Sequence, residues 1–295
     1  MGTTPIVPKL NESSLSPPPS GDITTPLLFS KRLPSDETPY IYTKCLPPEG
    51  VPYTNIRGEP SMVTVHDLRG EERSISLVHD SIHIVQNIPI TKTNFDDDED
   101  IRKNYYPLVE QQIMANVPSA AKVHIFRHGI RHTRKFPVPY SPPSLIARQG
   151  LTSTAVIDRI RWHLEEEEAE RLLQGRYRVI YFWQTLNGTV YTCPLAMASS
   201  ATVKDEDIVT MVSHFKDFSE EFGAPIYRDH QKWYYLSGVR ADEAIMLQIF
   251  DSYRSNPGSG VMGGHAAYVD FKDPRTPANA PDRWSIETFA LVFGP

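Results

Sequence analysis

Short apolar runs broken by Pro, Gly and charged residues dominate the pattern along the chain. Lys122 to His128, Arg176 to Trp183, Gln231 to Leu236, Glu243 to Phe250, Ala266 to Phe271 and Trp284 to Phe293 are rich in β-branched and aromatic residues. Such residues suit a pleated, half-buried surface, so each run predicts a strand. Shorter apolar stretches between Tyr40 and His83 predict further strands and an arm packed on the main domain. Helical spacing is rarer. Ile157, Ile160 and Leu164 recur on one helical face and Gly175 offers a stop, which predicts a helix over Ala155 to Leu173. A second helix is predicted from Asp205 to Phe218. A third runs to about Ala115, with the acidic stretch Asn94 to Asp100 at its positive end. Residues 1–35 hold Ser16-Pro17-Pro18-Pro19-Ser20 and few core-formers, and predict a flexible tail ahead of one domain over 36–295.

Strand periodicity also pairs side chains. Residues alternate faces, so Tyr181 and Trp183 share a face, as do Trp233 and Tyr235, and Glu287 and Phe289. Core packing alone accounts for any one of these aromatics.

Composition narrows the function classes. The net charge of −6 and pI near 5.9 speak against a nucleic-acid surface, which needs clustered Lys and Arg. No apolar run approaches the roughly 20 residues that span a bilayer, and no signal pattern opens the chain. Cys45 and Cys193 predict reduced thiols and a cytoplasmic setting. Partners therefore reduce to a small-molecule substrate and, at most, a second copy in a homodimer. The acidic run lacks the Gly and terminal Glu of a calcium loop. No Gly-x-Ser-x-Gly elbow promotes a hydrolase triad. None of the 10 histidines is followed two residues later by Asp. His163-Leu164-Glu165 is the only His-x-Glu, and on the predicted helix its two side chains diverge.

Several blocks in order carry a family resemblance: His66-Asp67-Leu68-Arg69-Gly70, Asn94-Phe95-Asp96 with Tyr105-Tyr106-Pro107, Pro194-Leu195-Ala196, Trp233-Tyr234-Tyr235, Asp242-Glu243 with Asp251-Ser252, His265-Ala266-Ala267-Tyr268 and Arg283-Trp284-Ser285-Ile286-Glu287. From about Tyr40 to Pro295 the chain resembles the fungal hydroxylase/desaturase family typified by AsaB and related to the cephem-methoxylase chain. The resemblance implies a mostly β fold with flanking helices around a double-stranded β-helix, a cupin-like jelly roll. It also implies iron(II) on a His-x-Asp pair and a distal His, with 2-oxoglutarate as cosubstrate. Against that pattern, His265 matches the distal His, while Arg148 and Gly150 stand at the pair. A guanidinium offers only donors, so Arg148 cannot ligate iron. Tyr181, Gln184, Ser199 and Phe289 stand where the family carries polar or cationic residues.

These departures predict an enzyme that needs no cofactor and no metal, and that performs a non-oxidative cyclisation, isomerisation or cycloaddition of a polyketide or terpenoid intermediate. A hetero-Diels–Alder union of a quinone methide with an alkene is a concrete case. Positioning alone can contribute about 7–11 kcal/mol to such a step, and a hydrogen bond to a developing oxyanion about 2.7–4 kcal/mol. Tyr181, Trp183, Trp233, Tyr235 and Phe289, with Arg148, form the expected substrate box, and His265, Gln184 or Arg283 the groups that polarise an oxygen. The basic stretch around Arg127, Arg131, Arg134 and Lys135 reads as a solvated loop, with attraction of an acidic substrate as the sharper alternative. Two other readings stand beside the first. One is an iron(II)/2-oxoglutarate hydroxylase/desaturase holding metal with His265 and residues such as His128 or His230. The other is a non-catalytic binding protein.

Overall fold

The computed structural model describes residues 16–34, 37–43, 45–133, 141–254 and 265–294. Two five-stranded sheets face each other. The first runs in the order β1 (Ile23–Ser30), β3 (Gly58–Asp67), β10 (Trp233–Tyr235), β7 (Leu195–Ala198) and β12 (Ala267–Asp270). The second runs β4 (Ile82–Gln86), β11 (Glu243–Asp251), β6 (Arg176–Thr185), β13 (Trp284–Gly294) and β5 (Lys122–His132), antiparallel throughout. A small third sheet joins β2 (Tyr40–Tyr42), β8 (Ile208–His214) and β9 (Ser219–Pro225). This is the expected double-stranded β-helix with flanking helices.

The central strands of the second sheet are buried on both faces, which is why they read as nearly continuous apolar runs. On β6, Val179, Tyr181 and Trp183 point inward to the first sheet, where Leu195, Met197 and Tyr268 meet them. Ile180 and Phe182 point outward and are covered by Tyr105, Tyr106, Val109 and Ile113. Most of that cover comes from α2 (Tyr106–Asn116), which follows a three-residue turn, α1 (Asp98–Asp100), and a π-helical turn at Ile101–Tyr105. Fully burying one such side chain contributes roughly 1.5–3 kcal/mol.

Three expectations need correction. Residues 1–35 are not all tail, because Ile23–Ser30 pairs along its whole length with β3 and sends Ile23, Leu27 and Phe29 into the core. Asp205 to Phe218 is not a helix. Its β-branched Ile208, Val209, Thr210 and Val212 instead pair with β9, after a single 3-10 turn at Asp205–Asp207. The helix over Ala155 to Leu173 is two. α3 (Ser153–His163) starts at Thr152, whose side chain accepts from the Ala155 amide, and ends where Leu164 and Glu165 turn extended before α4 (Glu166–Leu173).

Candidate functional site

A cavity of about 710 Å³ opens beside β5 and β13 and the segment entering α3. Strand register places its charged groups. Phe289, Glu287 and Ser285 on β13 lie opposite Arg127, Gly129 and Arg131 on β5, so alternation turns Arg127 and Arg131 to the face of Glu287 and Phe289. A side chain at Gly129 would crowd Glu287, since a Cβ there would stand 3.1 Å from Oε1. The missing Cβ leaves the carboxylate room. Arg131 Nη2 donates to Glu287 Oε1 at 2.6 Å, and the Tyr181 hydroxyl donates to Oε2 at 3.3 Å. Arg127 lies over the Phe289 ring at 4.2 Å and reaches Glu220 at 3.4 Å, while Arg159 holds the same Glu220. Arg148 enters from the edge of the first sheet, with its guanidinium 5.3 Å from the Phe222 ring centroid.

Electrostatics follow from this crowding. Burial opposes ionisation of Glu287, but Arg131, Arg127 and Arg148 outweigh it and hold the carboxyl below the usual range. Burial also works against the Arg131 charge, and Glu287 more than restores it. For Arg148 the compensation from Tyr268 and Glu287 falls short. Burial pulls its pKa down, and the fields of Arg131 and Arg127 add to the fall. Tyr268, stacked on Tyr181 at 4.6 Å, is pushed up to about 12 by burial and stays neutral.

The expected substrate box is divided. Arg148 and Phe289 line the cavity, and Tyr181 touches it through Glu287. Trp183 lies inside the barrel under Arg283, at 5.4 Å. Trp233 and Tyr235 sit on the opposite face of the first sheet, because β10 turns Tyr234 inward and these two outward. Among the polar candidates, Arg283 is buried and bound to Asp270 and to the Cys193 carbonyl. Gln184 faces the helical layer, donating to the Ala241 carbonyl and accepting from Tyr105. His265 Nε2 accepts from the Asp251 amide at 3.2 Å, and burial drives its pKa down to about 4, so its ring is neutral near pH 7. Sequence reasoning gave too little weight to Arg127, Arg131 and Glu287 and missed Tyr268, Glu220 and Phe222. The period-two spacing of Arg127, Gly129 and Arg131 was the available signal for the first pair. Arg134 and Lys135 lie outside the described residues.

The iron centre implied by the resemblance can be tested on these side chains. At Gly150 a Cβ would collide with the backbone carbonyl of Ile249, so no carboxylate fits there without moving β11. Arg148 is a cation, and His128 and His230 are engaged with Tyr106 and Asp207. Among the described residues no three His, Cys, Asp or Glu side chains converge on one point. The described residues thus do not fit a three-ligand ferrous site.

Comparisons with known proteins bear on the same question. A family model described as "Oxidoreductase/YMDC permease-like domain" matches residues 27–293. The chain is 50% identical to "Hydroxylase/desaturase poxK" of Penicillium oxalicum, covering 95% of this chain and 94% of the relative. It is 28% identical to "Fe(II)/2-oxoglutarate-dependent dioxygenase nvfI" of Aspergillus novofumigatus, covering 81% and 86%. The solved iron and alpha-ketoglutarate-dependent endoperoxidase NvfI superposes with a TM-score of 0.82 at 26% identity, covering 93% of this chain and 98% of that one. These relatives overturn two expectations: a non-oxidative, metal-independent cyclisation, and an enzyme without cofactor. Departures at single positions were read as a change of chemistry, whereas relatives alike over nearly the whole chain carry oxygenase names. No helix of the described residues is long and apolar enough to cross a membrane.

Proposed function

The chain belongs to the oxidoreductase/YMDC permease-like family and to the fungal hydroxylase/desaturases, and from that footing we propose that it is an oxidoreductase of secondary metabolism that hydroxylates or desaturates a small molecule. Half the residues shared with poxK across nearly the full length of both chains is the observation that carries this reading. Iron(II) and 2-oxoglutarate, named for the NvfI relative, come to this chain by kinship. When bound, that pair supplies the oxidising equivalents. The described side chains do not form its metal site.

What the chain's own residues do is bind and orient. The cavity is walled by Phe126, Leu151, Phe222, Ile249 and Phe289, which take an apolar body and keep water from it. Arg131 and Tyr181 fix the Glu287 carboxylate from two sides, so it is a preorganised acceptor rather than a mobile charge. Arg148 and Arg127 present donors from the other walls.

Deleting the gene in a producing fungus tests the reading. The strain is expected to accumulate a metabolite that lacks one oxygen, or carries two more hydrogens, relative to the wild-type product. Accumulation of an isomer of that product would count against it.

A further inference from the structure

Arg102, Arg127, Arg131 and Arg148 line the cavity together with Asp96, Asp98, Glu220 and Glu287, and the pairing among them is uneven. Asp98 is held by Arg102. Glu287 is taken by Arg131, and Glu220 is divided between Arg127 and Arg159. The Arg148 side chain makes no hydrogen bond or ion pair with any described residue, yet it is partly withdrawn from solvent and lines the cavity. A half-buried guanidinium without a side-chain partner is open to an anion, and five donors in a planar fork match a carboxylate. The backbone anchors the base of this side chain at the cavity wall, since Arg148 and Tyr268 exchange two main-chain hydrogen bonds at 2.9 and 2.7 Å. The rings of Phe222 and Phe289 flank the cations.

We infer that Arg148, supported by Arg127, is the binding site for a carboxylate carried by the substrate on a flat, apolar body. Resting on the reading of this cavity as the substrate site, the inference names the class of molecule: an organic acid. The apolar walls select the source. 2-Oxoglutarate carries two carboxylates and no apolar body, so it leaves Phe222 and Phe289 uncovered.

Calorimetric titration of the full chain with 2-naphthoate, methyl 2-naphthoate and 2-oxoglutarate tests this without turnover, so its failure leaves the oxidoreductase reading standing. The acid is expected to bind at least tenfold more tightly than its ester, and R148M to abolish that preference. Phe222→Leu, which keeps every charge, is expected to weaken the acid several-fold and so guards against misfolding of R148M. Equal binding of acid and ester, no binding of the acid at millimolar concentration, or an R148M protein that keeps the preference would each overturn the inference. Selective binding of 2-oxoglutarate in place of naphthoate would overturn it as well.

Discussion

Arg148 and Tyr268 face each other as a bridged antiparallel pair, each amide donating to the other's carbonyl. The contact joins the segment entering α3 to the last strand of the first sheet. It therefore sets the Arg148 backbone at the wall of the cavity, from which the side chain reaches the Phe222 ring. Tyr268 in turn stacks on Tyr181, whose hydroxyl meets Glu287, so one continuous set of contacts runs from Arg148 to the ion pair on the opposite wall.

Glu287→Gln is expected to lower stability by about 3–5 kcal/mol, the range for breaking a buried ion pair, because Arg131 is left beside Arg127 and Arg148 without its carboxylate. Replacing both partners, as in Arg131→Met with Glu287→Met, is expected to cost less than the single change. Urea denaturation of the three proteins measures this, and a double variant weaker than either single one would contradict it.

Stability should fall on acidification through the same carboxyl. Its folded pKa lies below the unfolded value near 4.3, so the unfolded chain binds the proton first as pH drops. The stabilisation is complete above the unfolded pKa and disappears as pH falls through the folded one. Melting temperatures of wild type and Glu287→Gln are expected to differ most near pH 7 and to converge towards pH 3. A constant gap would point to a packing effect.

Gly129→Ala is a narrower probe of the same wall. The added methyl would press on Glu287 Oε1, so the carboxylate must shift off Arg131. Overpacking of this kind costs about 1–3 kcal/mol. Thermal melts check the stability, and KM for the natural substrate is expected to rise more than kcat falls.

Phe289→Ala and Trp233→Ala separate the two aromatic groups that the sequence had joined. Each is expected to lose about 3–5 kcal/mol of stability. Only Phe289 lines the cavity, so only its variant should lose substrate affinity in the folded protein, measured as KM at a temperature well below both melts.

Much of the barrel was legible because its strands alternate or run apolar for a stated physical reason. Tyr181 and Trp183 were expected to share a face, and both lie with Phe289 in the inner cluster. Ile208 to Val212 was misread because a helix-start acidic triplet, Asp205-Glu206-Asp207, precedes a segment whose β-branched residues pair with β9. Trp233 and Tyr235 share a face, as periodicity requires, but which face is set by parallel pairing of β10 with β3, a non-local fact. Arg127 and Arg131 looked like loop charges because the strand carrying them extends to His132. The charge pattern told where residues alternate; only the partner strand, with Glu287 across from Gly129, told what they meet.

In the proposed reaction the substrate is oxidised within this cavity. Purified chain supplied with iron(II), 2-oxoglutarate, oxygen and the metabolite accumulated by the deletion strain should give a product whose accurate mass shows one added oxygen or two lost hydrogens. A product with the elemental composition of the substrate would contradict the account.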